Sequence, residues 1–184
     1  MSKVLLLLAP GFEEIEALGT CDVLRRLNVE VTMAALEGRE VAGAHGIRVA
    51  ADAALNEVDP DKFDAVVLPG GMPGAVNLLA AKDLVRGFAR KGKVTAAICA
   101  APLVLSAAGL LEGRVFTMYP GMGKYLAPGE EPTGRLVECD GTVVTGKGPG
   151  ATFFFAAAVA RALGVEPQAT GEVLASMFAA TAAE

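Results

Sequence analysis

Residues 93–102, Lys-Val-Thr-Ala-Ala-Ile-Cys-Ala-Ala-Pro, put a cysteine where a buried apolar run stops and a second apolar segment, Pro102 to Ala108, takes on helical character. The small neighbours Ala100 and Ala101 let the backbone turn sharply and leave the sulfur uncovered, as in nucleophile elbows generally. Free N–H groups and partial positive charge at a helix N-terminus favour the thiolate, which is the nucleophilic form. Cys99 is therefore the first candidate for covalent chemistry. The competing reading is a small buried hydrophobe, the usual fate of a free cysteine.

Glu16 is the next candidate. In Glu13-Glu14-Ile15-Glu16 the acids open a helix, where complementing its dipole is one reading and serving a nearby thiol as proton shuttle or hydrogen-bond donor is the other. Gly70 and Gly71 follow a buried strand in Pro69-Gly-Gly-Met-Pro-Gly74, and their N–H groups suit either a plain turn or a developing oxyanion. That run lacks the Lys-Ser/Thr ending of a phosphate loop. Lys147, in Gly146-Lys-Gly-Pro-Gly150, reads as a solvated lysine or an anion contact. The one histidine, His45, lies in Ala44-His-Gly46, away from any predicted strand end, and reads as a surface or interface residue. Cys21 falls inside the first predicted helix and Cys139 beside a hairpin, so neither shares the elbow setting. Three cysteines without metal-type spacing suit neither a zinc site nor a disulfide scaffold.

The elements that must position these residues alternate between continuous apolar runs and segments of helical period, the pattern of a parallel sheet covered on both faces. Strands are predicted at Val4–Leu8, Glu30–Met33, Ala65–Leu68, Val94–Ile98 and Val143–Thr145. Helices are predicted at Glu14–Leu27, Lys82–Lys91, Pro102–Ala108, Thr152–Leu163 and Gly171–Ala179. Phe153, Phe154, Phe155, Val159 and Leu163 supply the bulk that packs the fourth helix on the sheet. Asp140-Gly141 marks a hairpin joining Leu136–Cys139 to the last strand. In an open α/β sheet, sites form at the carboxyl ends of the strands, so Pro10–Glu16, Pro69–Gly74, Cys99–Pro102 and Gly146–Gly150 should converge on one rim.

Composition narrows the class. With 184 residues, 53% of them hydrophobic, and no composition break, the chain is read as one domain, 1–184, with an ample core. A net charge of -5, no Lys/Arg cluster and no Trp argue against nucleic acid as a partner. The apolar run after Lys3 ends at Pro10-Gly11 and is followed by acids, so it reads as a first strand rather than a signal peptide. No stretch approaches the roughly 20 apolar residues of a membrane span, and a cytoplasmic protein is expected.

Pro69-Gly-Gly, Ala97-Ile-Cys-Ala-Ala-Pro102, Glu13-Glu-Ile-Glu16 and Gly148-Pro-Gly150, in this order and spacing, resemble the ThiJ/PfpI superfamily. The similarity is to the branch of the parkinsonism-associated protein deglycase and its bacterial relatives, and it runs from about Lys3 to Phe178. The resemblance implies a flavodoxin-like three-layer α/β/α sandwich with a mostly parallel sheet, related to class I glutamine amidotransferases, and a homodimer. It implies a reactive cysteine at Cys99, a carboxylate partner at Glu16, and oxyanion contacts from the backbone of Gly70, Gly71 and Ala100. It places Asp22 and Glu13 near the dimer contact, with His45 where many relatives have an arginine that pairs with the position of Glu13.

Two departures matter. Relatives with peptidase activity carry His directly after the cysteine, where this chain has Ala100. Some deglycase and glyoxalase members place a His in the segment matching Met122–Glu131, which here offers Tyr125, Glu130 and Glu131 instead. The function implied is a cofactor-independent, metal-free glyoxalase or deglycase acting on α-oxoaldehydes or their early protein adducts. A redox-sensing stress protein or chaperone, acting through oxidation of Cys99, is the alternative. A peptidase or amidotransferase relative is the minor one.

Overall fold

Val4 to Leu8 are completely buried, which a strand achieves only when both its faces are covered. The computed structural model describes residues 1–179. It places nine strands in two sheets: β1 (Lys3–Leu8), β2 (Glu30–Ala35), β3 (Glu40–Ala42), β4 (Arg48–Ala50), β5 (Ala53–Ala54), β6 (Ala65–Leu68), β7 (Val94–Ile98), β8 (Val137–Asp140) and β9 (Val143–Gly146). Six α-helices accompany them: α1 (Glu14–Arg26), α2 (Gly74–Asn77), α3 (Lys82–Arg90), α4 (Pro102–Ala107), α5 (Thr152–Ala162) and α6 (Pro167–Ser176). The main sheet has seven strands in the order β5-β2-β1-β6-β7-β9-β8, and every pairing is parallel except that of β8 with β9. Helix α1 packs against α5, and α5 against α6; α3 packs against α4 and α2 against α4. The result is a mostly parallel, flavodoxin-like α/β/α sandwich, as the family resemblance implies.

The chain runs from β1 outward to β2, then returns to the other side of β1 to form β6. That reversal opens a crevice between the loops leaving β1 and β6, the place where open α/β sheets hold their sites. Backbone fits against backbone there. Gly11 has φ +82, and a Cβ on it would meet Pro73 Cδ at 2.6 Å; Gly71 has φ +88, and its Cβ would lie 2.7 Å from the Phe12 carbonyl carbon. Gly74 N–H donates to Gly11 O at 3.1 Å and Asn77 Nδ2 to Pro10 O at 2.9 Å, locking the two loops together.

Several elements differ from the sequence reading. The hairpin β3–β4 has only three residues per strand and its alternation is too short to signal itself. Helix α6 starts four residues earlier than predicted because Pro167 occupies its first turn, where the missing N–H costs nothing. The β8–β9 loop is Gly141-Thr142, one residue later than the Asp-Gly reading, with Gly141 alone at positive φ. Phe155 is fully buried, whereas Phe153 is 36% exposed and stands outside the core.

Candidate active site

Strand β7 ends at Ile98, and Cys99 takes φ +64, a left-handed conformation costing a non-glycine residue about 1–2 kcal/mol. Hydrogen bonds on both sides hold it there: Cys99 N–H donates to Gly146 O and Tyr119 N–H donates to Cys99 O, each at 2.8 Å. Strain retained at one residue by its surroundings is what an elbow requires. The side chain is 9% exposed. Backbone N–H groups of Gly71 and Ala100 donate toward the sulfur.

The acids of α1 are positioned by the crevice. Glu13 is the N-cap and its Oε2 accepts from Glu16 N–H at 2.7 Å, which satisfies one of the free donors of the first turn. Glu13 and Glu16 have the spacing of a capping box, in which Glu16 would reach back to Glu13 N–H. Instead Glu13 N–H donates to Gly70 O at 3.0 Å, and Glu16 Oε2 accepts from Gly70 N–H at 2.7 Å. Both backbone groups of Gly70 are thereby spent on the start of α1 and its N-cap. The N–H expected to serve an oxyanion is the donor that holds Glu16, so Gly70 positions the acid while Gly71 and Ala100 face the sulfur. Gly70 must be glycine, since a Cβ would lie 2.7 Å from Cys99 Cβ and 2.8 Å from Glu16 Oε2.

Glu16 is fully buried, its Oε1 has no nitrogen or oxygen partner, and it shares a hydrogen bond with the Cys99 thiol. Burial pushes its carboxyl up to about 7, against the lowering effects of Gly70 N–H and Cys99. Burial, then the charge of Glu16, raises the Cys99 thiol above the ordinary range, and the Gly71 and Ala100 N–H groups only partly offset this. The expectation of a thiolate stabilised by a helix N-terminus needs correction. Helix α4 begins three residues after Cys99 and has six residues, and burial outweighs the local donors. Ionising both members of a buried pair sets like charges side by side, so each ionisation opposes the other.

The remaining residues fall elsewhere. His45 pairs with Glu14, not Glu13: Nδ1 lies 2.8 Å from Glu14 Oε2, and His45 N–H donates to Oε1 at 2.7 Å. Gly43 must be glycine to admit that carboxylate. Glu13, Glu14 and His45 bring ligand-type atoms within 4.8 Å of one another, a grouping that sequence spacing did not announce. Both oxygens of Glu14 are already spent on the His45 turn. Asp22 forms an exposed pair with Arg26 at 2.7 Å. Tyr125 is exposed, and Glu130 accepts from Ala127 N–H at 3.1 Å. Cys21 is buried and Cys139 exposed on the edge strand β8. Lys147 is half-buried.

A parallel sandwich with a strained cysteine over a buried acid defines a class of α/β proteins. The sequence matches the DJ-1/PfpI family over residues 2–162, and the chain belongs to that family. It is 41% identical over 170 residues to protein dj-1beta of Drosophila melanogaster, covering 89% of this chain and 90% of that one. Deglycase PfpI of Pyrococcus furiosus is 38% identical over 151 residues, covering 80% and 91%. The structure of oxidized DJ-1 from Toxoplasma gondii superposes with a TM-score of 0.91 at 31% identity, covering 98% of this chain and 100% of that one. No helix among the described residues is long and apolar enough to cross a membrane.

Proposed function

We propose that this chain is a cofactor-independent, cysteine-dependent enzyme of glyoxalase or deglycase type, acting on α-oxoaldehydes or their early adducts with protein groups. The observation that carries the reading is the Cys99–Glu16 pair: a strained nucleophile beside a buried acid raised to about 7, where a proton can move either way at neutral pH. The deglycase name of the Pyrococcus relative supports it.

With methylglyoxal the steps balance as an internal redox exchange followed by hydrolysis. The Glu16 carboxylate takes the Cys99 S–H proton, the sulfur bonds to the aldehyde carbon, and Glu16 gives that proton to the resulting oxyanion, leaving a hemithioacetal and a carboxylate. Gly71 and Ala100 N–H are assigned to the transient negative charge. Glu16 then removes the proton on that carbon, the electron pair moves to form an enediolate, the hydroxyl proton passes from the first carbon's oxygen to the second's, and Glu16 returns its proton to the neighbouring carbon. The first carbon is now oxidised to a thioester and the second reduced to an alcohol. Water breaks the C–S bond, releasing lactate and the thiol. Incubation with methylglyoxal and assay of lactate tests the reading. Lactate formation that depends on Cys99 and Glu16 is expected, and turnover undiminished in Cys99→Ala would overturn it.

A second reading has its own support. The two N–H groups facing the sulfur, together with a protonated Glu16, are donors suited to a sulfinate, and a structural relative is described as oxidized. Intact mass after mild peroxide decides it: two oxygens gained at Cys99 before any methionine reacts support a sensor, and none at such doses removes it. Peptidase chemistry has no such support, because the single histidine is bonded to Glu14 and Ala100 follows the cysteine. The enzyme is expected to be a cytoplasmic homodimer, with small aldehydes or glycated protein as its partners; sedimentation velocity checks the dimer.

A further inference from the structure

Lys147 directly follows β9, and its backbone N–H donates to Leu136 O at 2.9 Å. The residue lines a cavity of about 340 Å³ whose other walls include Tyr119, Pro120, Leu136, Pro149 and Ala151. No carboxylate lines this cavity. Among the described residues, no acid pairs with Lys147 and no acceptor takes a proton from its ammonium group. A cation without a counter-charge beside mostly apolar walls leaves its field unopposed there. An anion entering the cavity would supply what the protein does not.

The cavity adjoins the nucleophile. Tyr119 N–H bonds Cys99 O, and Cys99 N–H bonds the carbonyl of Gly146, the residue before Lys147. Gly148 lies against the half-exposed Tyr119 ring, where a Cβ would come within 3.2 Å of Cδ2. At about 30 Å³ per water, the space takes on the order of ten waters, or an apolar spacer and a head group.

We infer that this cavity is a subsite for an anionic tail, a carboxylate or a phosphate carried on an apolar spacer, with Lys147 as the residue that selects it. That the tail belongs to an α-oxoaldehyde rests on the proposed function; the subsite itself rests on the cavity and the unpaired cation. The substrate class becomes α-oxoaldehydes with an acidic end, favoured over methylglyoxal by affinity rather than by turnover rate.

The test separates the two claims. Titrations of the ¹⁵N-labelled protein with benzoate, phenyl phosphate and benzamide, following the amides of Tyr119, Gly148 and Gly150, read the subsite without catalysis. The anions should bind more tightly than benzamide, and the tighter anion identifies the preferred head group. Lys147→Met should weaken anion binding about tenfold and change benzamide binding less than twofold, while Lys147→Arg retains the preference, as expected for one charge-assisted contact. Equal binding of anions and benzamide, or anion affinity unchanged in Lys147→Met, overturns the subsite. In kinetics, kcat/KM for 4-carboxyphenylglyoxal relative to phenylglyoxal should fall about tenfold in Lys147→Met, through KM. If neither aldehyde is turned over while the titrations still discriminate, the aldehyde reading fails and the subsite stands.

Discussion

Glu14 and Glu16 sit two residues apart in the first turn of α1, are 3% and 0% exposed, and titrate in opposite directions. For Glu14, burial raises the pKa, but the His45 ring and the N–H groups of His45 and Ile47 outweigh it and hold the carboxylate below its ordinary range. For Glu16, burial wins: Gly70 N–H occupies one oxygen, the other has no nitrogen or oxygen donor, and the acid rises to about 7. One residue type in one helical turn is thus held as a carboxylate at one position and titrates near neutrality at the other. Donor supply decides between them.

The largest effect expected from breaking the contrast is at the group Glu16 serves. Cys99→Ala should cut kcat/KM for methylglyoxal at least about a thousandfold, measured as lactate, with an unchanged fold by circular dichroism. Glu16→Gln keeps an acceptor for Gly70 N–H but cannot carry the proton, and should cost about 10²–10⁴ in kcat. Glu14→Gln should cost less than tenfold in the same assay.

Stability sharpens the contrast. The folded Glu16 carboxyl titrates higher than it does in the unfolded chain, so its contribution is fully present below about 4.5 and is lost as pH rises through about 7. That loss is on the order of 3 kcal/mol, and urea unfolding across this window should show it flattened in Glu16→Gln. Gly70→Ala should destabilise by about 1–3 kcal/mol, because Cys99 Cβ and the Ile98 carbonyl, 2.7 and 2.9 Å from the new methyl, must shift. The smallest effect belongs to His45→Ala. Glu14 raises the His45 pKa, so the pair's stabilisation is present below the ordinary histidine value and fades as pH rises through the raised one. Its removal should therefore matter more at pH 6 than at pH 8, and barely alter turnover.

The buried parallel strands were legible because four- to six-residue apolar runs bounded by Gly, Pro and Asp have few other readings. The elbow at Cys99 was legible because a strand ended on a cysteine followed by two alanines. The division of labour among the glycines was not. Whether Gly70 N–H faces an oxyanion or a carboxylate depends on the register of two loops that meet only in the folded chain, 54 residues apart in sequence. The thiol's environment differs from the sequence expectation for a related reason: helix character after Cys99 is local, whereas burial and the nearby Glu16 charge are tertiary. The pairing of His45 with Glu14 is not legible in the sequence because the hairpin that carries it there is too short to show an alternating pattern.

The central claim is that Glu16 holds its proton near neutrality because its donors are few, and ¹³C NMR titration of the glutamate side-chain carboxyls, assigned with Glu14→Gln and Glu16→Gln, tests it most directly. Glu16 should titrate near 7 and Glu14 below the ordinary carboxylate range. Both carboxyls titrating together at the ordinary value would contradict the account.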